Sequence, residues 1–321
     1  MKRPLICFDF PDYTASNPWQ LQTLGDTDTW FKILRLASWP PPPNIDFLHL
    51  SWEDVFLHQA KSEAQALQIA ELVSNQINEL CQSGVKIIWT IHNLRSHIVK
   101  FNNAENKIRE SLFSTSTAIV LMSEKHLAIV PREFQIKAVV IPHYITDVNR
   151  SIKIALQEIN RPTLFRYGAP RNETNIQIYQ SILNSHLIAK IVSDLRLQHE
   201  VDDGKNLMVK RRFSRIEELL YGAMSSFSFF SRQPCLNSGV FNFYVGSRNP
   251  ILHTRESVKY LDMPSSFNAF ELENFTSIEE MIDAVRTYQA LGKDEELDHF
   301  LRMRDPQTIQ SRWRKEIIEQ L

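Results

Sequence analysis

The sequence predicts an α/β protein built from two parallel-sheet halves. Three observations carry this. Short apolar runs of strand length alternate with segments of helical period, the order of a parallel sheet covered on both faces. The alternation runs through twice, with a break at 145–162 marked by the polar stretch "TDVNRS" and the turn "NRP". The chain has 321 residues and 37.4 kDa, room for two cores of about 150 residues each.

In the first half, "PLICFDF" (4–10) and "IDFLHLS" (45–51) read as strands. Over 58–83, Ala66, Ile69, Leu72, Val73, Ile77 and Leu80 recur at helical spacing, and Gly84 ends the run. "VKIIWTI" (85–91) is a strand and "NAENKIRESLFSTS" (103–116) a helix. "AIVLMS" (118–123) and "AVVIPH" (138–143) are further short strands. "PPPP" at 40–43 is a stiff connector. The second half opens with the strand "TLFRYGAP" (163–170) and the helix 175–186, followed by the strand "LIAKIVSD" (187–194). "NLMVKRRF" (206–213) is a strand running into a loop before the helix 214–224. "SSFSFFS" (225–231) is a strand, "NSGVFNFYVGS" (237–247) a helix, and "NPILHT" (249–254) a strand. "TIQSRWRKEIIEQL" (308–321) closes the chain as a helix.

Composition removes several function classes. A net charge of −1 offers no global field for nucleic acid. Cys7, Cys81 and Cys235 form no CxxC pair, so neither a disulfide framework nor a zinc knuckle is expected, and a reducing compartment fits. With only 8 glycines, no GxGxxG or GxxxxGK loop is present, which argues against dinucleotide and P-loop enzymes. Met1-Lys2-Arg3 precede a short apolar stretch that Asp9 interrupts, so no secretory leader is expected. No apolar run reaches the roughly 18 residues of a membrane span.

Ligands of parallel α/β sheets bind beyond the carboxyl ends of the strands. His92 and Asn93 stand just past the strand 85–91, followed by Arg95 and His97. This end is expected to form a lip of a cleft between the two domains. His92 and His97, five apart, suit one helical face poorly, so no metal is expected. His92 suits a hydrogen bond to a sugar or phosphate, and the Asn93 amide offers both donor and acceptor. Glu53 and Asp54 follow a strand end, as does Asp12, while Asp9 lies deeper. Each carboxylate is a candidate general base, although a cap or loop role is the commoner one for such a residue; Glu53 and Asp12 stay unseparated.

In the second half, Asn237-Ser238-Gly239 precede an apolar helix. A plain cap explains them; so does a diphosphate resting on the helix N–H groups, with Gly239 allowing close approach. Arg171, in the loop after a strand, and Lys210, Arg211 and Arg212 are cations for phosphate or a solvated face. Phe213 suits stacking on a base. Four of the six tryptophans, Trp19, Trp30, Trp39 and Trp52, fall in the first 52 residues. "DTWFKILRLASW" (28–39) sets Trp30, Ile33, Leu34 and Ala37 on one helical stripe flanked by Lys32 and Arg35. Such a helix either faces the core or lies in a membrane interface.

These segments carry a resemblance. "TLFRYGAPRNETNIQIYQSIL", "NLMVKRRFSRIEELLYGAM", "SSFSFFSRQPCLNSGVFNFYVGSRNPILHT" and "FTSIEEMIDAVRTY", in that order, resemble the donor-binding half of a GT-B glycosyltransferase. "SNPWQLQTL", "FLHLSWED" and "WTIHNLRSH" resemble the first half of bacterial exopolysaccharide glycosyltransferases, of the xanthan- and acetan-type membrane-associated β-mannosyltransferase kind. The resemblance implies the GT-B fold, two Rossmann-like parallel-sheet domains facing across a cleft. An acceptor domain would span 1–150 and a nucleotide-sugar domain 151–305. The helix 306–321 would pack back on the first domain.

It further implies a metal-independent enzyme without cofactor. That enzyme would move a sugar, GDP-mannose being the favoured donor, to a lipid-linked oligosaccharide at the cytoplasmic face of the inner membrane. Donor contacts would fall on Arg171, Lys210, Arg212, Phe213, Asn237, Ser238 and Gly239. Acceptor contacts would fall on Asn17, Trp19 and Asn93, and the chemistry on Glu53, Asp12 or His92. A UDP-sugar-dependent glucuronosyl- or glucosyltransferase and a non-catalytic GT-B binding protein are the alternatives. Two departures stand out. "SRQPCLNSGVFNFYVGSRNPIL" holds no carboxylate where retaining relatives carry a pair, which favours inversion. Thr174 and Asn175 stand where a second donor-site cation is common.

Overall fold

The computed structural model describes residues 4–12, 19–25, 31–35, 38–96, 100–147, 163–166, 190–194, 201–202, 207–210, 227–230, 234–264, 267, 269–277, 280, 283–284 and 295–321. The chain divides into two compact units, Met1–Tyr144 with Pro306–Leu321, and Ile145–Asp305.

Unit 1 holds β1 (Leu5–Phe10), α1 (Trp19–Leu24), β2 (Phe31–Arg35), β3 (Phe47–Ser51), α2 (Glu63–Gln82), β4 (Lys86–Thr90), α3 (Asn102–Thr115), β5 (Ala118–Leu121) and β6 (Ala138–Val140). The six strands form one sheet in the order β2-β1-β3-β4-β5-β6, every pair parallel. Its central strands are buried almost throughout, which is why they read as apolar runs without alternation.

Alternate residues face opposite sides. Cys7, Phe47, Ile88, Ala118 and Val120 pack with Ile309, Trp313, Ile317 and Ile318 near the end of the chain. These last residues come from α6 (Pro306–Trp313) and its continuation in π geometry, Arg314–Ile318. Trp89 points the other way, against Phe113 of α3. Each such aliphatic side chain contributes roughly 1.5–3 kcal/mol on burial.

Local chemistry bounds α2. The Ser62 hydroxyl accepts from the Gln65 N–H at 3.3 Å, and Gln65 Oε1 accepts from the Lys61 N–H at 2.8 Å, a reciprocal cap. Gly84, at φ 94, lets the Val85 N–H return to the Leu80 carbonyl at 3.1 Å and stop the helix.

One expectation fails here. Phe31–Arg35 is the parallel edge strand β2, paired with β1 from Leu5↔Phe31 to Asp9↔Arg35, not part of an amphipathic helix over 28–39. "FKILR" fits both periods, and pairing with β1 decides in favour of the strand. The membrane-interface helix drawn through Ile33 and Leu34 therefore does not exist. No helix of the described residues is long and apolar enough to cross a membrane. The short α1 and strand β2 are the elements the sequence pattern missed in this unit.

Unit 2 holds β7 (Thr163–Arg166), β8 (Lys190–Asp194), β9 (Val201–Asp202), β10 (Leu207–Lys210), β11 (Phe227–Phe230), α4 (Gly239–Gly246), β12 (Ile251–His253), β13 (Ala269–Glu271) and α5 (Glu295–Met303). The sheet order is β13-β12-β11-β7-β8-β10-β9. It is parallel apart from β9, which pairs antiparallel with β10 at the edge. The core joins Phe230, Phe241, Tyr244, Val245 and Ile251 to Leu297, Leu301 and Ile145. The expected helices 175–186 and 214–224 lie outside the described residues.

The segment that opens unit 2 is fastened to it. The Ile145 N–H donates to the Arg304 carbonyl at 2.8 Å. Arg248 donates to Asp147 at 3.0 and 2.8 Å and to Asp298 at 2.5 Å. These carboxylates push the Arg248 pKa further up. Gly246 is obligatory, since an added Cβ would stand 2.1 Å from the Thr146 carbonyl oxygen.

Candidate functional site

The polar end of β4 is a turn, Asn93–Ser96, held from behind by charged side chains of two other elements. Arg109 of α3 donates through Nη2 to the Asn93 carbonyl at 2.5 Å and through Nη1 to the Leu94 carbonyl at 2.9 Å. Its Nε donates to Glu53 Oε1 at 2.6 Å, and Glu105 lies 3.4 Å away. Glu53 starts the 3-10 turn Glu53–Leu57 after β3 and also accepts from the Trp89 indole N–H at 3.3 Å. Ser96 donates its hydroxyl to Asp54 at 2.5 Å and its N–H to Glu105 at 3.2 Å. Burial pushes the Glu105 carboxyl up, and Arg109 opposes that shift.

His92 begins this end. It is 3% exposed, and among the described residues its Nε2 has no hydrogen-bond partner. The ring stacks on Trp52 at 4.1 Å and 16°, and meets the edge of Trp19 at 4.3 Å and 84°. Trp52 holds a left-handed backbone, φ 52, which turns the chain sharply after β3. Burial first, then His143 and His49, lower the His92 pKa well below 6.5. The imidazole is therefore neutral at pH 7.

Deeper on the same side of the sheet lies a second polar line. His49 Nδ1 and Asp9 Oδ1 are 2.7 Å apart, and His49 Nε2 and Thr90 Oγ1 2.8 Å apart. Arg35 donates to Asp9 at 3.1 Å and to the Gly25 carbonyl at 2.9 Å. Asp9, His49 and Thr90 are all fully buried. The line ties β1, β2, β3 and β4 together.

In unit 2, α4 begins beyond the carboxyl end of β11. The Ser238 hydroxyl accepts from the Phe241 N–H at 3.2 Å, and Asn242 donates to the Asn237 side chain at 3.3 Å. Nothing lies within 4 Å of where a Cβ on Gly239 would stand. The first turn of α4 is thus open to an incoming group and carries the positive end of the helix dipole.

The predicted residues divide accordingly. His92 and Asn93 stand together on the turn after β4. Glu53 is buried and engaged by Arg109 and Trp89, which makes it part of the turn's frame. Trp19 is 2% exposed and packs against His92 with its edge, so it offers no open face for stacking. Asp12, half-buried, lies past β1. Asn237, Ser238 and Gly239 sit at the start of α4. Lys210 ends β10, whereas Asn17, His97, Arg171, Arg211, Arg212 and Phe213 lie outside the described residues. Arg109 was missed. Its one sequence signal is the i,i+4 spacing from Glu105, which many solvated helices share. Among the described residues no three His, Cys, Asp or Glu side chains gather as metal ligands.

No protein-family profile and no curated protein matches this sequence. Solved structures do resemble it. Anabaena HepE, in complex with UDP and glucose, aligns over 98% of this chain and 99% of its own, with a TM-score of 0.62 at 9% identity. A UDP-forming trehalose-phosphate synthase from Burkholderia vietnamiensis aligns over 80% of this chain and 79% of its own, with a TM-score of 0.54 at 10% identity. Sucrose-phosphate synthase from Thermosynechococcus elongatus aligns over 99% and 97%, with a TM-score of 0.56 at 8% identity. Together with the two parallel-sheet units, these likenesses show that the chain has the GT-B fold of glycosyltransferases.

Proposed function

We propose that this protein is a nucleotide-sugar-dependent glycosyltransferase. The observation that carries the proposal is the start of α4, where a serine-capped helix N-terminus with an open Gly239 follows a parallel strand of a GT-B fold. The donor diphosphate takes the free N–H groups of that first turn, with Arg171, Lys210 and Arg212 as further cations and Phe213 beside the base. The acceptor hydroxyl meets unit 1 at Asn93. His92, neutral and with Nε2 unspent, removes its proton as the oxygen attacks the anomeric carbon in line. Charge on the leaving nucleoside diphosphate is stabilised by fixed N–H groups and cations. Asp12 is the remaining carboxylate candidate for the base, because Glu53 is committed to Arg109.

A UDP-sugar is supported by HepE, whose crystals hold UDP, glucose and UDP-glucose. GDP-mannose, with a lipid-linked oligosaccharide acceptor of exopolysaccharide synthesis at the membrane surface, is supported by the sequence resemblance. A thermal-shift series with UDP, GDP and their sugars separates them. Stabilisation by UDP alone selects the first reading and by GDP alone the second. No response to any nucleotide from folded protein overturns both and leaves a non-catalytic GT-B protein. A turnover assay on the responding donor, comparing His92→Ala with wild type, tests the base; unchanged turnover would exclude it.

A further inference from the structure

The turn after β4 spends the Asn93 and Leu94 carbonyls inward and leaves the N–H groups of Leu94 and Arg95 unspent. Asn93 and Leu94 both turn their carbonyl oxygens onto Arg109. In a trans peptide the N–H points opposite to the carbonyl it shares a plane with. The Leu94 N–H shares a plane with the Asn93 carbonyl, and the Arg95 N–H with the Leu94 carbonyl. Both N–H groups are therefore aimed away from Arg109, side by side. Among the described residues neither has a hydrogen-bond partner in the backbone network, and the half-buried Asn93 side-chain amide makes no bond there either.

The residue before the turn, His92, carries a buried Nε2 that is likewise unpartnered among the described residues. A buried polar atom left without a partner costs about 1–3 kcal/mol, so one built into a turn this firmly held points to a ligand. The donors state which kind. Glu53 and Glu105 face Arg109, and the Ser96 donors are spent on Asp54 and Glu105. Among the described residues the exposed Arg95 guanidinium bonds the neutral Asn106 amide, so the Leu94 and Arg95 N–H groups and this cation are what the turn offers to an anion.

We propose that Asn93–Ser96 is an oxyanion subsite, in which the Leu94 and Arg95 N–H groups and the Asn93 amide bind the oxygens of a phosphate or carboxylate carried by the acceptor, and that Arg109 is the positioning residue that sets it. The assignment to the acceptor rests on the glycosyltransferase reading; the anion site itself does not. Two parallel backbone donors match two oxygens of one anionic group, as in other backbone anion sites. A bound anion next to His92 also offsets the burial that depresses its basicity.

The test uses the full chain labelled with 15N-leucine, with the Leu94 cross-peak identified from its loss in Leu94→Met. Inorganic phosphate and glucuronate are titrated separately at ionic strength held constant with chloride. The proposal expects a saturable Leu94 shift, weakened several-fold in Arg95→Gln and abolished in Arg109→Lys while that variant keeps its fold. Saturation by phosphate alone assigns a phosphorylated acceptor, and by glucuronate alone an acidic sugar. An unmoved Leu94 amide, or one that chloride moves equally, overturns the subsite. A Leu94 response in a protein that ignores all nucleotides leaves the subsite standing and removes the transferase.

Discussion

The turn after β4 and the start of α4 both offer backbone N–H groups beyond the carboxyl end of a parallel strand, yet they are made in opposite ways. The α4 site is local: Asn237, Ser238 and Gly239 are consecutive, the cap spans three residues, and its accessibility comes from a missing side chain. The β4 site is assembled from afar. Arg109 reaches Glu53 across 56 positions, and Ser96 reaches Asp54 across 42. A local site tolerates loss of a neighbour, because its helix still forms. An assembled one fails together with its frame, because each buried charge is satisfied only by the others.

That contrast is breakable, and the largest expected effect lies in the assembled site. Arg109→Met leaves the Glu53 carboxylate buried without its cation and frees two carbonyls, which should cost about 3–5 kcal/mol in urea unfolding. A loss below about 1 kcal/mol, the range of surface pairs, would show that the frame is dispensable. Next, the two glycines that bound α4 should part. Gly246→Ala drives a methyl into the Thr146 carbonyl and should cost at least about 1–3 kcal/mol. Gly239→Ala should leave stability within about 0.5 kcal/mol while weakening the nucleotide response.

Smaller again, Ser238→Ala should cost about 1 kcal/mol as a lost cap. The contrast would weaken if this exceeded the Arg109 effect. Smallest is the pH term of His92. Its folded pKa lies below the unfolded 6.5, so the unfolded chain binds more protons as pH falls. His92 thus supports stability fully above pH 6.5, and this contribution fades as pH drops below that value. His92→Gln should flatten the acid limb of stability against pH; an unchanged limb would place the His92 ring in water.

The same contrast explains what the sequence made legible. Strands β3, β4 and β5 showed as mainly apolar runs without alternation because both of their faces are buried. The α4 helix showed because its cap and its apolar face are adjacent in sequence. Strand β2 did not: in "FKILR" the apolar positions satisfy a helical stripe, and only the β1 partner, more than twenty positions earlier, settles the period. His92 and Asn93 were recognisable at a strand end. Glu53 looked like a base because a carboxylate beyond a strand carries no mark of the arginine that claims it. Arg109 was invisible for the mirrored reason, being one charged residue on a helix that carries several.

The buried line Arg35–Asp9–His49–Thr90 has a consequence for how the first sheet assembles. Parallel strands rich in Val, Ile, Leu and Phe pair almost as well when displaced, since each register buries grease. Asp9 and His49 are direct cross-strand partners. Slide β1 by a single residue and Asp9 turns to the opposite face, where Leu48, Leu50 and Trp89 are buried and no imidazole or guanidinium awaits it. The four polar side chains thus act as a key that rejects shifted alignments during folding. They give up some packing to make one arrangement of the central strands far better than its neighbours.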